Sequence, residues 1–396
     1  MRFTTLAVLA LVCASPAAFA QQADDPVDTA RIQLGPLGVT PTLSLNNLGV
    51  DSNVFNTTVN PQRDYTATLT PSADAWFRAG RSLTAIQGRL ELVYFQKFAS
   101  ERSVDGTIDA RFEVRGNRVT PWIAGGFTSG RQRVGYEIDL RSRRIERNIG
   151  FGVEGRISAK TSVVLSASRI DYGYDVDAFF LGSSLRETLD RTSDAASVGY
   201  RQALSVYTTA VLEGEARKDR FEFAPQRDTD SVRVSAGLDF DDRALIDGRI
   251  RIGYRKFDGL NGLPRYTGLV AAATSGVTLR GRTRLTLEAS RDVNYSYDRV
   301  YPYYVQTGAT LTVTPRLTNQ WDVQARVGGQ RLAYRTTSPD AANRVDRYMA
   351  VGGGIGYHIG SSMRLGINLD RQRRSSPLQL RDFRSYRFGA AVTYGQ

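Results

Sequence analysis

Between Ala85 and Tyr94 the stretch AIQGRLELVY sorts its residues by parity. Ile86, Gly88, Leu90, Leu92 and Tyr94 fall on one side, Gln87, Arg89 and Glu91 on the other. Residues two apart share a face of a strand, so the pattern predicts a strand with an apolar side and a charged side; a helix would mix the two sets. The alternation recurs. Ile108, Ala110, Phe112 and Val114 interleave with Asp109, Arg111, Glu113 and Arg115. Ile246, Ile250, Ile252 and Tyr254 interleave with Asp247, Arg249, Arg251 and Arg255, and Trp321, Val323, Ala325 and Val327 with Asp322, Gln324 and Arg326. No stretch after the first twenty residues carries a helical period.

Tight-turn signals punctuate these strands near Gly80, Gly116, Ala159, Ala203, Asp242, Gly281, Leu317 and Gly360, at intervals of 36 to 44 residues. A longer, more polar break lies between successive signals, as in Asp175–Glu187, Phe223–Asp228 and Thr336–Asn343. Each repeat is therefore one long hairpin, which predicts about 18 strands, with 16 as the lower count. A propeller blade would need four short strands per repeat. A soluble sandwich would not need so many strands of uniform length. An up-and-down transmembrane antiparallel β-barrel accounts for the even count, the strand length and the alternation of short and long connections. Its apolar faces would meet lipid, and Arg89 and Glu91 would point into the lumen. No loop is expected to exceed about fifteen residues, so none is expected to fold inward as a constriction.

The first twenty residues read as a signal peptide. Arg2 precedes the apolar run Leu6–Ala14, and Ala18-Phe19-Ala20 has the form of a cleavage site. Residues 21–31 are then a short periplasmic tether and residues 32–396 the barrel. Cys13, the one cysteine, falls within the signal, so disulfides and cysteine-ligated metals are excluded from the mature chain. No metal or cofactor is expected. The net charge is +12, and 48 of the 52 basic residues are arginine. Those arginines are spread along the chain, which argues against nucleic acid and fits anionic lipid headgroups or polymers.

The segment GPLGVTPTLSLNNLGVDSNVF, Gly35 to Phe55, resembles the opening strand of the outer-membrane proteins grouped as the β-barrel porin type 2 family, with Asp51 and Asn53-Val54-Phe55 at its turn. The hairpin layout extends that resemblance as architecture over Gly35 to Gln396. The resemblance implies an association with exopolysaccharide production or export, with polysaccharide export proteins as partners. The last strand carries Tyr386, Phe388, Ala390, Val392 and Tyr394 on one face. It is similar to C-terminal strands taken up by the barrel assembly machinery. Outer-membrane lipid and lipopolysaccharide complete the expected partners.

Phase assigns the inner wall. Its expected pore-lining residues are Arg89, Glu91, Arg111, Glu113, Arg115, Glu154, Arg156, Glu213, Glu215, Arg233, Asp247, Arg249, Arg251, Arg255, Asp322 and Arg326. Opposite charges on one face pair across strands, yet Arg249, Arg251 and Arg255 share their strand with only Asp247, which leaves an expected positive ladder. Tyr295, Tyr297, Tyr301, Tyr303 and Tyr304 near a long loop are read either as a sugar-stacking platform or as the aromatic girdle at the lipid–water interface. His358, the only histidine, is a polar rim residue or a pH-sensitive lumen group. With no Ser/His/Asp constellation, no catalytic residue is assigned. The function expected is a porin-like channel for polar, anionic or saccharide solutes; the alternative is a filled barrel serving as a surface scaffold or adhesin.

Overall fold

The computed structural model describes residues 26–395 except Val134, Thr337 and Pro339; the expected signal peptide lies outside the described residues. The chain forms eighteen long antiparallel strands. In order these are β1 (Leu37–Asp51), β2 (Asp64–Ala79), β3 (Ser82–Phe95), β4 (Ser103–Val114), β5 (Val119–Gln132) and β6 (Ser142–Arg156). There follow β7 (Thr161–Tyr174), β8 (Arg191–Ala203), β9 (Thr208–Phe221), β10 (Thr229–Phe240), β11 (Ile246–Gly259) and β12 (Tyr266–Leu279). The last six are β13 (Thr283–Tyr295), β14 (Tyr303–Pro315), β15 (Trp321–Arg335), β16 (Val345–Ile359), β17 (Met363–Ser375) and β18 (Phe383–Tyr394). Each pairs with its sequence neighbour, and β18 closes on β1 from Leu43↔Tyr394 to Asp51↔Arg387. A bulge at Asn46–Leu48, with Asn47 at φ 54°, bends β1 at that seam.

Closure leaves no edge strand, so every strand finds its backbone partners inside the protein, as hydrocarbon demands. Among the described residues no helix is long and apolar enough to cross a membrane. The outward faces are apolar: Leu90, Leu92, Ile252, Tyr254, Ile355, Leu369 and Phe388 are all exposed. Of the segment expected to be a tether, residues 26–31 turn back against the inward face of β1. Val27 and Ala30 are buried there, so tightly that a Cβ on Gly38 would come within 2.7 Å of Ala30 Cβ.

Candidate functional site

From mid-barrel down to the tight turns, the lumen is lined by charges that lie along the wall in pairs. Arg89 meets Glu91 at 2.5 Å, and Glu113 sits between Arg111 (3.2 Å) and Arg115 (2.9 Å). Glu154 faces Arg201 at 3.8 Å, and Arg156 is likewise engaged. Asp322 receives Arg364 through two nitrogens and His358 Nε2 at 2.6 Å, while Arg326 holds Asp370 at 2.6 Å. Gly352 makes room for that last pair, since a Cβ there would lie 1.9 Å from Asp370 Oδ1. His358 is thus tied by a hydrogen bond to Asp322, which Arg364 also holds.

The positive ladder on β11 does not exist as an unbalanced feature. Arg251 reaches Asp239 on β10 at 2.7 Å. Arg255 reaches Glu215 on β9 (3.5 Å) and Asp292 on β13 (3.3 Å), and Arg249 is also engaged. Asp247 turns away from the ladder to Arg284. Glu215, itself buried, is shared by Arg217, Arg233 and Arg255, and Glu213 adds a second contact to Arg233 at 3.1 Å. Counting carboxylates on one strand misses these partners, because inner-wall side chains reach across two strands.

The upper lumen is different, and here the expectation that no loop folds inward is corrected. Beyond the end of β5, Arg133 and the segment Gly135–Arg141 cross towards the far wall. Tyr136 packs on Tyr348 of β16, seven strands from β5 round the closed barrel, with ring centroids 4.8 Å apart. Glu137 is 1% exposed and accepts a hydrogen bond from Ser296 Oγ at 2.6 Å. Arg381 donates to the Glu137 carbonyl, and both Arg374 and Arg381 pair with Asp139. Asn56 donates to Asp139 at 3.3 Å, and Arg133 reaches the carbonyls of Val54 and Asp139. Ile138 joins Phe180, Leu185, Leu189 and Tyr297 in an apolar cluster; Arg227 ties the loops together by donating to Thr188, Ser296 and Asp298 carbonyls. Loop length was the wrong criterion. Out and back, nine residues reach roughly 15 Å, and loops from other hairpins supply the rest of the span.

Burial displaces the titrations of this loop. Glu137 is pushed up to about 7 by desolvation, against the opposing pull of Ser296, Arg344 and Arg381. Desolvation likewise pulls Arg133 and Arg227 down to about 10.

Two hairpin tips lean inward because their ladders end early on one edge. The β12–β13 ladder stops at Ala271↔Arg291, whereas β13–β14 continues to Tyr295↔Tyr303. Arg291 Nε caps the Leu269 carbonyl at 3.1 Å, where the ladder ends. Above that point the outward phase of β13 and β14 meets the inward phase of β9, β11 and β12. Tyr303, fully buried, packs on Phe257 at 5.1 Å, and Tyr295 on Phe221 at 4.8 Å, with its hydroxyl on Asp219. On the other side of the chain Tyr304 packs on Tyr334 at 5.2 Å. Similarly, the β4–β5 ladder stops at Gly106↔Ser129, and Asp105 accepts the Arg131 N–H beyond it. The five tyrosines are therefore neither girdle nor platform in this conformation. Tyr297 packs on Phe180 and the Tyr301 hydroxyl donates to Ala342, so their faces and edges are spent on the loop packing.

Sequence reasoning missed Tyr136, Glu137, Ile138, Asp139, Arg344, Arg374 and Arg381. A signal existed: GYEIDL, Gly135 to Leu140, alternates apolar with acidic residues where a solvated loop has nothing to bury.

A closed cylinder, greasy outside and ion-paired within, defines an outer-membrane porin-type barrel. The chain belongs to the family described as "Putative beta-barrel porin 2", whose profile matches residues 25–396. Its fold is similar to a BenF-like porin from Pseudomonas fluorescens Pf-5, with 12% identity, TM-score 0.52 and coverage of 91% of this chain and 98% of that one. OpdK of Pseudomonas aeruginosa, solved with vanillate, aligns at 12% identity and TM-score 0.48 over 90% and 98% of the two chains. At such identity the likeness speaks for the fold alone. Among curated proteins none matches the sequence. The protein resides in the outer membrane.

Proposed function

We propose that the protein is a gated passive channel for polar solutes, of anionic or saccharide class, in which Arg133–Arg141 is the gate. The observation that supports this is the inward loop itself. It spans the upper lumen, yet it is fastened by side-chain contacts from several loops rather than by ladder hydrogen bonds, so it can leave without breaking the wall. Beneath it the paired charges leave a polar wall suited to hydrated solutes. A role as the outer-membrane exit of an exopolysaccharide pathway follows from the family resemblance and fits a polar lumen. The protein is not an enzyme in this reading, because its one histidine is hydrogen-bonded to Asp322, which Arg364 also holds, and neither is a nucleophile for it to activate.

The packed loops also favour a second reading, a filled barrel acting as a surface scaffold. Planar-bilayer recordings separate the two. Tyr136→Ala combined with Ile138→Ala should raise the open probability of single channels several-fold over wild type at unchanged heat-modifiable mobility. Silence from both proteins at all voltages would sink the channel and leave the scaffold.

A further inference from the structure

The outward arginines on the long-loop side differ sharply between two flanks of the barrel. On β7–β11 the outward basic residues have acidic partners: Arg169 pairs with Asp194 (2.7 Å), Arg220 with Asp230 (2.7 Å) and Lys256 with Asp258 (2.9 Å). On β15–β18 six outward arginines, Arg331, Arg335, Arg347, Arg371, Arg373 and Arg384, are all exposed, and no Asp or Glu shares the outward face of those strands. Register makes the crowding worse. Arg331 stands directly opposite Arg347, and Arg373 directly opposite Arg384. Like charges facing each other across a ladder destabilise it, and this sheet carries two such pairs side by side. Two carboxylates at the loop ends of these strands are engaged elsewhere: Asp382 accepts the Ser376 N–H at 2.6 Å, and Asp346 pairs with Arg344.

Two further features say what would offset this repulsion. A shallow cavity of about 360 Å³, lined by Asn343, Val345, Arg347, Ser375, Ser376 and Pro377, adjoins the arginines and offers hydroxyl and amide donors. Directly below, on the same strands, the surface turns apolar with Met349, Val351, Leu369 and Phe388 exposed. A cluster of cations above and grease below matches a lipid with a multiply anionic head. The arginines lie at the level of the outer leaflet, since the long loops are the outer ones.

We propose that the outer face of β15–β18 is a docking site for a phosphorylated glycolipid of the outer leaflet, the lipid A portion of lipopolysaccharide. Its phosphates bridge the facing pairs Arg331/Arg347 and Arg373/Arg384, and its acyl chains lie over Met349, Val351, Leu369 and Phe388. Guanidinium forks grip phosphate oxygens bidentately. One phosphate between two facing arginines turns a repulsive pair into two attractive contacts. The site does not depend on whether the lumen conducts.

The test compares wild-type protein, the triple variant Arg347→Gln/Arg373→Gln/Arg384→Gln, and Arg169→Gln on the paired flank. Each is extracted from outer membranes in mild detergent. Native mass spectrometry reads the glycolipid retained per barrel, and heat-modifiable mobility confirms that all three are folded. Affinity for added lipid A should fall by about a hundredfold in the triple variant and stay at the wild-type level in Arg169→Gln. Lipid A should also raise the thermal midpoint of the wild type, while dephosphorylated lipid A, phosphatidylglycerol vesicles and inorganic phosphate should not. Equal lipid A affinity in the triple variant would overturn the site, leaving solvated rim arginines only. Equal stabilisation by dephosphorylated lipid A, by phosphatidylglycerol or by inorganic phosphate alone would overturn the assignment to this lipid.

Discussion

In the half of the lumen nearest the tight turns, Asp322 gathers Arg364 and His358, Asp239 holds Arg251, and Asp247 holds Arg284. In the half under the long loops, Phe257, Tyr303, Leu332 and Tyr334 are buried in apolar clusters against neighbouring hairpin tips. The same cylinder thus runs on two rules. Below, side chains alternate as on any two-faced sheet, and inner charges are neutralised along the wall. Above, the tips bend inward and pack on one another as the interior of a soluble protein does. The difference teaches that parity assigns a face only while a ladder stays paired on both edges.

The largest expected effect tests the wall that both halves share. Leu92→Arg places a cation in hydrocarbon at a cost of about 2–4 kcal/mol near the midplane, so refolding into lipid vesicles should fail. Arg89→Leu, on the inner side of the same strand, should fold with little loss. Equal damage by heat-modifiable mobility would refute the assignment of faces.

A smaller effect probes the upper half through Glu137. A carboxyl whose pKa is higher in the packed loop than in a released one favours packing while it is protonated. That contribution is complete below the ordinary value of 4.5 and is lost as pH rises to about 7. The neighbouring Arg344, held above its ordinary value by Tyr334 and Asp346, stays charged throughout this range. Channel closures should therefore shorten as the pH climbs across this window, and Glu137→Gln should make them long and independent of pH. A variant with the wild-type pH profile would place the titration elsewhere.

The smallest effect belongs to the lower half. Because Arg251 is paired, Arg251→Gln and Asp239→Asn, made in the Tyr136→Ala/Ile138→Ala background, should shift the reversal potential slightly in opposite directions, towards cations and anions respectively. The double change should restore it. Shifts that vanish within the screening length of about 8 Å at physiological salt are the expectation. A large shift from Arg251→Gln alone would mean that a positive ladder survives.

How much of this was legible follows from the same contrast. The split of Ala85–Tyr94 into two faces, the eight tight turns and the count of eighteen strands were all readable, because lipid outside and water inside impose a strict period of two. The partners of Arg255 were not, since Glu215 and Asp292 lie about forty residues to either side and become neighbours only when registers are set. Nor was the burial of both Tyr303 and Tyr304. Adjacent strand residues point opposite ways, and only the early end of the β12–β13 ladder lets both sides of β14 be covered. The inward loop left a faint trace in the apolar residues of GYEIDL, but no local pattern says which wall they will meet.

The seam between β1 and β18 has a consequence for how the chain is made. Thr42 Oγ1 donates to the carbonyl of Gly395 at 3.3 Å, joining residues 353 positions apart. Every other ladder joins strands adjacent in the sequence; this one joins the first to the last. Until it forms, β1 offers a bare edge, open to pairing with any passing chain, and the loop to be closed is nearly the whole polypeptide. Closure is thus the pairing of largest sequence separation in the barrel, the kind whose formation is slowest. A chain cut short before Phe383 would keep most of its hairpins yet could never become a cylinder, so the last dozen residues act as a check on the length of all that precede them.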